Sequence, residues 1–67
     1  MKKLISIITP TYNEEDNIEK LCSQISQELL NIDCDYEHIV IDNNSDDKTV
    51  EILKKLSKKD KNLKIIV

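Results

Sequence analysis

Apolar residues along the chain fall into five blocks that alternate between two patterns. Three blocks are short apolar runs rich in β-branched residues, which predict strands, and they span Leu4–Ile8, Tyr36–Ile41 and Leu63–Val67. The first run has the continuous apolar character of a strand buried on both faces. Pro10 is expected to end that strand, because proline has no amide hydrogen to donate to a sheet.

The two blocks between these runs are amphipathic and predict helices, because their apolar residues recur at helical spacing. These residues are Ile18, Leu21, Cys22, Ile25 and Leu29 in the first block and Val50, Leu53 and Leu56 in the second. The first helix is expected to begin near Asn13, a favoured N-cap residue followed by acidic side chains that suit the positive end of the helix dipole. Ser45 or Asp46 is expected to cap the second helix.

The element order is therefore β-α-β-α-β, which predicts an α/β fold: one half of a doubly wound, Rossmann-like parallel sheet. Parallel strands joined by a helix cross over right-handed in almost all proteins. Three strands and two helices leave sheet surface and edges uncovered, which is unusual for a parallel sheet. We therefore expect residues 1–67 to be an incomplete part of a larger domain.

Composition narrows the functions that such a domain could have. The 67 residues include no glycine, which excludes the glycine-rich loops that bind dinucleotides and phosphates. The formal net charge is −3 with acids and bases interspersed, so no nucleic-acid partner is expected. Cys22 and Cys34 are too few for a disulfide framework and lack zinc-site spacing, so we expect free thiols and a cytoplasmic location. No apolar run is long enough to span a bilayer.

Two polar segments, residues 9–14 and 42–47, each connect a predicted strand to a predicted helix. Both lie at carboxyl ends of parallel strands, the edge at which open α/β sheets bind ligands. Turn and cap chemistry accounts for the first segment except Tyr12, an aromatic that could pack against a base or ribose. The second segment is either an Asx-rich turn or a binding loop. In a binding loop, the Asp42 carboxylate accepts hydrogen bonds and the Asn43 amide both donates and accepts them.

The remaining titratable residues suggest no further chemistry. His38, the only histidine, lies near the start of the second predicted strand and away from the ligand edge, where a structural or surface role is favoured. The acids of the second segment could hold a metal ion only with ligands from elsewhere, and no Ser-His-Asp or Cys-His arrangement is evident. We therefore assign no catalytic residue and no metal ligand to these 67 residues.

The two polar segments carry a family resemblance that extends over nearly the whole chain. Residues 5–18, ISIITPTYNEEDNI, resemble the opening strand and helix of family 2 glycosyltransferases. Residues 36–49, YEHIVIDNNSDDKT, resemble the second junction of that family, usually written V-D-D-x-S-x-D-x-T. The Asp-Asn-x-Ser variant, together with Asn-Glu-Glu-x-Asn-Ile, looks most like the polyprenyl-phosphate (dolichyl-phosphate-like) sugar transferases within the family.

The resemblance implies a GT-A fold, of which residues 1–67 would be the N-terminal nucleotide-binding part. It also implies transfer of a sugar from a nucleoside diphosphate sugar to an acceptor, which the resemblance leaves open and for which a polyprenyl phosphate is one candidate. By similarity, Pro10, Tyr12 and Glu14 would line the nucleoside pocket, and Asp42 with Asn43 would face the base. Asn43 stands where the family usually has a second aspartate, so the resemblance leaves the preferred base open.

The same resemblance implies that the metal-dependent chemistry lies elsewhere. The family's Asp-x-Asp motif, which holds Mg²⁺ or Mn²⁺ on the diphosphate, is expected beyond residue 67, with the catalytic base and the acceptor site. We therefore expect these residues alone to hold no metal and to be inactive, and the full-length protein to work at the inner face of the membrane.

Two other classes of protein fit parts of the pattern. A non-catalytic α/β module could form a homo-oligomer by pairing through its exposed sheet edge. A phospho-acceptor receiver domain also begins β-α-β-α-β, but it needs an acidic pair directly after the first strand. Residues 9–11, Thr-Pro-Thr, occupy that place here, which argues against a receiver domain.

Overall fold

The computed structural model describes residues 3–67 and confirms the predicted α/β fold. The elements follow one another as β1 (Leu4–Thr11), α1 (Ile18–Leu29), β2 (Asp35–Asp42), α2 (Thr49–Lys59) and β3 (Leu63–Ile66). The three strands form one parallel sheet in the order β1-β2-β3. Leu4 pairs with Asp35 and Thr11 with Asp42, so β1 and β2 end together at the carboxyl edge.

Both helices pack on one face of the sheet. The strand order follows the chain order, so two right-handed crossovers place both helices on the same side. The buried core joins every layer of this arrangement and consists of Ile18, Cys22, Val40, Leu53 and Leu63. Ile18, Val40 and Leu53 are fully buried, so the packing of both helices depends on the centre of β2 and on one another.

The other face of the sheet is uncovered within residues 3–67. Leu4 and Ile8 of β1 are each 61% exposed, and Ile66 of β3 is 54% exposed. The expectation that the first strand is buried on both faces is therefore wrong for this chain. A polar row crosses the same face, where Glu37 accepts hydrogen bonds from the Ser6 hydroxyl at 2.7 Å and from the Lys64 ammonium at 2.8 Å.

Pro10 does not end β1, contrary to the sequence-based expectation, because the strand continues to Thr11. The Lys3 carbonyl accepts from the Asp35 amide, and the Thr11 carbonyl accepts from the Asn43 amide. Odd-numbered residues of β1 therefore bond to β2, and the nitrogen of Pro10 faces away from it. Proline is tolerated at such a position because no hydrogen bond of the sheet is lost.

The first helix begins five residues later than expected, at Ile18 instead of Asn13. Asn13 has a left-handed backbone conformation (φ 49°), which cannot start a right-handed helix. Its side chain does not cap α1 either, because Asn13 Oδ1 accepts a hydrogen bond from the amide of Asp46. Asn17 takes the N-cap position without a side-chain cap.

The second helix also lacks the predicted cap. Lys48 is its N-cap residue and makes no side-chain cap, and among residues 3–67 the side chains of Ser45 and Asp46 make no hydrogen bond to the first turn. Asp47 instead accepts from the amide of Thr49 at 2.9 Å. Both cap predictions are wrong: the side chains of Asn13 and Ser45 bond across the two junctions, and the Asp46 carboxylate makes no hydrogen bond among residues 3–67. Among residues 3–67, neither helix is long and apolar enough to cross a membrane.

Candidate functional site at the carboxyl edge

The segments that follow β1 and β2 meet at the carboxyl edge of the sheet. Thr11 and Asp42 are register partners, and the Thr11 hydroxyl donates to Asp42 Oδ1 at 2.9 Å. The amide of Asn43 donates to the Thr11 carbonyl at 2.9 Å and extends the strand pairing by one residue. The structure therefore brings residues 9–14 and 42–47 together, as their positions after parallel strands predict.

Asp42 is almost completely buried at this edge, and both of its carboxylate oxygens accept hydrogen bonds from Thr11 or Ser45. It is 4% exposed, and its Oδ1 accepts from the hydroxyls of Thr11 and Ser45, while Oδ2 accepts from the Ser45 amide at 2.9 Å. Removal from water opposes ionisation of Asp42, but the hydrogen bonds from Ser45 and Thr11 outweigh it and lower the pKa. A carboxylate oxygen has room for two hydrogen bonds, so Oδ2 retains one free position. Its predicted contact with a base stays a prediction.

Three side chains at the second junction, from residues 45–49, hold the backbone of residues 13–15 at the first junction. Ser45 Oγ accepts from the amide of residue 13 at 2.9 Å, Thr49 Oγ1 from that of residue 14 at 2.8 Å, and Asp47 Oδ2 from that of residue 15 at 3.2 Å. We call these three side chains and the three amides they bind the junction clasp. Two bonds run the other way, from the amide of residue 46 to Asn13 Oδ1 and from that of residue 48 to Glu15 Oε2.

Asp47 and Thr49 form the inner part of the clasp. Asp47 Oδ1 accepts from both the amide and the hydroxyl of Thr49, a residue that is fully buried. Loss of hydration works against ionisation of Asp47, but hydrogen bonds from Thr49 and from the Glu15 amide outweigh it and hold the pKa below its usual value. The clasp is therefore anchored in the first turn of α2.

The sequence-predicted site residues share this edge, and four of them are exposed. The exposed four are Pro10, Tyr12, Glu14 and Asn43, with Tyr12 at 54%, whereas Asp42 is buried. Asn44 turns the chain through a left-handed conformation (φ 60°), as Asn13 does in the first segment. Asparagine tolerates this conformation better than most residues, so a chain without glycine makes both turns with asparagine.

Sequence reasoning missed the residues that build the edge. Thr11, Ser45, Asp47 and Thr49 carry the hydrogen bonds that join the two segments. A partial signal was present, because Ser45, Asp47 and Thr49 alternate along the chain and match the S-x-D-x-T part of the family motif. Nothing in that spacing identifies the backbone amides on the other segment as their partners.

The described residues do not provide a metal centre. Within residues 3–67, no three histidine, cysteine, aspartate or glutamate side chains come together in a way that could hold a metal ion. Asp33 and Asp35 have Asp-x-Asp spacing, but Asp35 begins β2 while Asp42 ends it, roughly 23 Å away along the strand. The Mg²⁺ or Mn²⁺ expected for the full-length protein stays a prediction, and these residues do not fit it.

His38 and the cysteines lie outside the site. His38 is 3% exposed on the helix-covered face, and its Nε2 lies 2.8 Å from Thr9 Oγ1, which agrees with a structural role. Burial lowers the pKa of His38, and the charge of Asp60 only partly offsets this. Cys22 and Cys34 are both free thiols, and only Cys22 is buried.

Comparison with known proteins identifies the family to which the chain belongs. The chain is a member of glycosyl transferase family 2, whose family model matches residues 6–67. The match includes both polar segments, β2, β3 and all but the first two residues of β1. It confirms the resemblance inferred from the sequence.

Three curated relatives illustrate the range of the family. The chain is 44% identical over 55 residues (82% of this chain, 15% of the relative) to dolichol-phosphate mannosyltransferase of Pyrococcus furiosus. It is 35% identical over 52 residues (78% and 16%) to undecaprenyl-phosphate 4-deoxy-4-formamido-L-arabinose transferase of Aeromonas hydrophila. It is also 38% identical over 55 residues (82% and 14%) to 4,4'-diaponeurosporenoate glycosyltransferase of Staphylococcus haemolyticus. The chain thus spans between 14% and 16% of the length of these relatives.

Proposed function

We propose that this chain is the nucleotide-binding part of a glycosyltransferase that transfers a sugar from a nucleoside diphosphate sugar to an acceptor. The observation that carries the proposal is the arrangement of exposed and buried residues at the carboxyl ends of β1 and β2. Four exposed residues, Pro10, Tyr12, Glu14 and Asn43, lie at the edge where the buried Asp42 joins the two segments through hydrogen bonds to Thr11 and Ser45. Ligands of open α/β sheets bind at this edge.

The exposed side chains suit a nucleoside better than a free phosphate. The ring of Tyr12 offers an apolar face to a base or ribose, and the amide of Asn43 can donate and accept hydrogen bonds with a base edge. The carboxylates of Glu14, Asp42 and Asp47 make the edge acidic, which disfavours a phosphate unless a cation accompanies it. We therefore propose that the nucleoside of the nucleotide sugar, and not its diphosphate, contacts these side chains.

A polyprenyl phosphate is the acceptor class that we propose. The names of two relatives, the dolichol-phosphate mannosyltransferase and the undecaprenyl-phosphate transferase, support this choice. A third relative is named for a diaponeurosporenoate acceptor, so family membership alone does not define the acceptor. An acceptor carried by a lipid is consistent with work at the inner face of the membrane by the full-length protein.

Binding is tested by titrating the isotope-labelled chain with UDP, GDP and CDP, each with and without Mg²⁺, and following the amide signals by NMR. We expect one nucleotide to shift the signals of Tyr12, Glu14, Asp42 and Asn43 while the α2 signals stay in place. Tyr12→Ala should weaken binding, and Tyr36→Ala, at the opposite end of the sheet, serves as the matched control. A folded chain whose edge signals respond to none of the nucleotides would contradict the proposal.

Catalysis by these residues alone is not expected. A metal ion on the diphosphate supplies much of the stabilisation of the leaving group in such reactions, and the described residues bring no three metal ligands together. A sugar-transfer assay with the purified chain, a nucleotide sugar and a polyprenyl phosphate should therefore show no metal-dependent turnover. Turnover above the protein-free control would refute this part of the proposal.

Self-association is a second candidate, favoured by the uncovered sheet face. Leu4, Ile8 and Ile66 present apolar surface there, and the outer edges of β1 and β3 are not paired within residues 3–67. We expect light scattering coupled to size exclusion to show a concentration-dependent dimer that Ile8→Lys weakens. A strict monomer at high concentration would exclude this candidate.

A further inference from the structure

We propose that Asp47 is a positioning residue: together with Ser45 and Thr49 it fixes the backbone of residues 13–15 and thereby places Tyr12 for nucleotide binding. The consequence for binding rests on the proposed function, whereas the placement of the first segment can be tested without a ligand. The argument comes from the junction clasp, in which Ser45, Asp47 and Thr49 supply the acceptors and residues 13–15 supply three consecutive amides.

The three amides need partners from outside their own segment. Residues 13–15 precede α1, which begins at Ile18, so their amides cannot bond to carbonyls one turn earlier as helical amides do. Consecutive amides beside a left-handed residue form a concave donor group that attracts an anion. In this protein the clasp fills that group with two hydroxyl oxygens and the carboxylate of Asp47.

Asp47 is the member of the clasp whose single carboxylate bonds both to α2 and to the first segment. Its Oδ1 bonds to the amide and hydroxyl of Thr49 in the first turn of α2, and its Oδ2 bonds to the amide of Glu15. One rigid carboxylate therefore connects the start of α2 to the first segment. The three amides are engaged by this protein's own side chains, so the diphosphate of a nucleotide must be neutralised by other groups.

Tyr12 depends on this arrangement because it lies between two anchored residues. Thr11 on one side bonds to Asp42, and Asn13 on the other side bonds to Ser45 and to the Asp46 amide. Tyr12 itself is more than half exposed. Its place at the edge is therefore set mainly by the backbone that the clasp holds, and a shift of that backbone moves the ring.

Asp47→Asn tests the inference with a change of one atom. The amide oxygen should keep the position facing Thr49, where it accepts two hydrogen bonds, which leaves the amide nitrogen facing the Glu15 amide. Two donors then face each other, and the bond between the segments is lost. Asp46→Asn is the matched control, since it removes the same charge at the next residue and the Asp46 carboxylate makes no hydrogen bond among residues 3–67.

The measurement combines amide hydrogen exchange with nucleotide affinity on the same variants. For Asp47→Asn we expect exchange at Glu15 to accelerate at least tenfold and the signals of Tyr12 to shift, while the amides of Val40 and Leu53 in the core stay protected. We also expect the affinity for the nucleotide identified by titration to fall about tenfold. Asp46→Asn should behave like the wild type in all three measurements.

The possible outcomes separate this inference from the proposed function. Wild-type exchange at Glu15 and wild-type affinity in Asp47→Asn would overturn the inference, as would a loss of affinity that only parallels the loss of core protection. If the wild-type chain binds no nucleotide, the proposed function fails. The exchange and Tyr12 signals of Asp47→Asn would then still decide whether Asp47 positions the first segment.

Discussion

Asp42→Asn should destabilise the fold, although it alters a residue predicted to face a ligand. Both oxygens of Asp42 are engaged by the protein, with bonds of 2.9 and 2.6 Å from the hydroxyls of Thr11 and Ser45 and of 2.9 Å from the Ser45 amide. An asparagine cannot satisfy these donors in either orientation. If the asparagine nitrogen replaces Oδ2, it faces the Ser45 amide, which is also a donor. If the nitrogen replaces Oδ1, the hydroxyl hydrogens of Thr11 and Ser45 lose their acceptor.

The magnitude follows from the loss of hydrogen bonds to a buried charge. Such a bond contributes about 1.5–3 kcal/mol, and a donor left unpaired adds its cost of desolvation. We therefore expect the free energy of unfolding to fall by about 2 kcal/mol. In a domain of this size each kcal/mol moves the melting temperature by roughly 4–8 °C, so the midpoint should drop by roughly 10 °C.

Urea unfolding followed by circular dichroism at neutral pH measures this effect. Asp46→Asn is the control, because it removes the same charge one residue beyond Ser45 from an exposed side chain. The control should leave stability within about 0.5 kcal/mol of the wild type, as surface substitutions usually do. A similarly small change for Asp42→Asn would show that the buried carboxylate is not a support of the edge and would refute the reasoning.

The same variant should change the acid unfolding of the protein. The pKa of Asp42 is lower in the folded chain, where hydrogen bonds from Ser45 and Thr11 outweigh desolvation, than the usual aspartate value of about 4. The folded state therefore binds fewer protons than the unfolded state near and below that value. The contribution of the Asp42 carboxylate to the free energy of unfolding is therefore present above about pH 4. It is lost as the pH falls towards the pKa of Asp42 in the folded chain. Asp42→Asn should remove this part of the pH dependence.

Three further predictions concern residues away from Asp42. Burial lowers the pKa of His38 despite the opposing charge of Asp60. The free energy of unfolding should therefore decline as the pH falls below about 6.5, the usual histidine pKa. Unfolding curves of His38→Gln should lack this decline. Asn44 is left-handed, so Asn44→Ala should be about 1 kcal/mol less stable than Asn44→Gly in urea unfolding. Burial and Asp60 raise the pKa of the Cys22 thiol, so a thiol reagent should modify Cys34 first, and equal rates would contradict this.

Periodicity in the sequence was sufficient to predict the architecture. Apolar runs and helical spacing are local properties, and the core that they predict includes Ile18, Cys22 and Leu53 on the helices and Val40 on β2. The meeting of residues 9–14 with residues 42–47 also follows from topology, because parallel strands end at the same edge. Uncovered sheet surface was expected for three strands and two helices, although the expected burial of β1 on both faces was wrong.

The helix starts and the strand end were not predictable in the same way, because they depend on contacts between distant segments. Asn13 is a favoured N-cap by composition, but its side chain bonds to residue 46, and Ser45 bonds to Asp42 and to residue 13. Each side chain had a local use that a tertiary contact replaced. Pro10 remains in β1 because the sheet requires no hydrogen from its nitrogen, and that depends on which neighbour the strand has.

The separation of buried and exposed positions at the carboxyl edge gives substitutions at two adjacent residues, Asp42 and Asn43, different consequences. Asp42 bonds to Thr11 and Ser45, so a change there alters the support of both segments. Asn43 joins the sheet through its backbone amide, and its side chain is exposed. Exchanging carboxylate for amide at position 43 therefore changes the donors and acceptors offered to a ligand without disturbing the clasp. Asp42 can support the edge while the adjacent Asn43 faces a ligand, because successive side chains of an extended chain point to opposite faces.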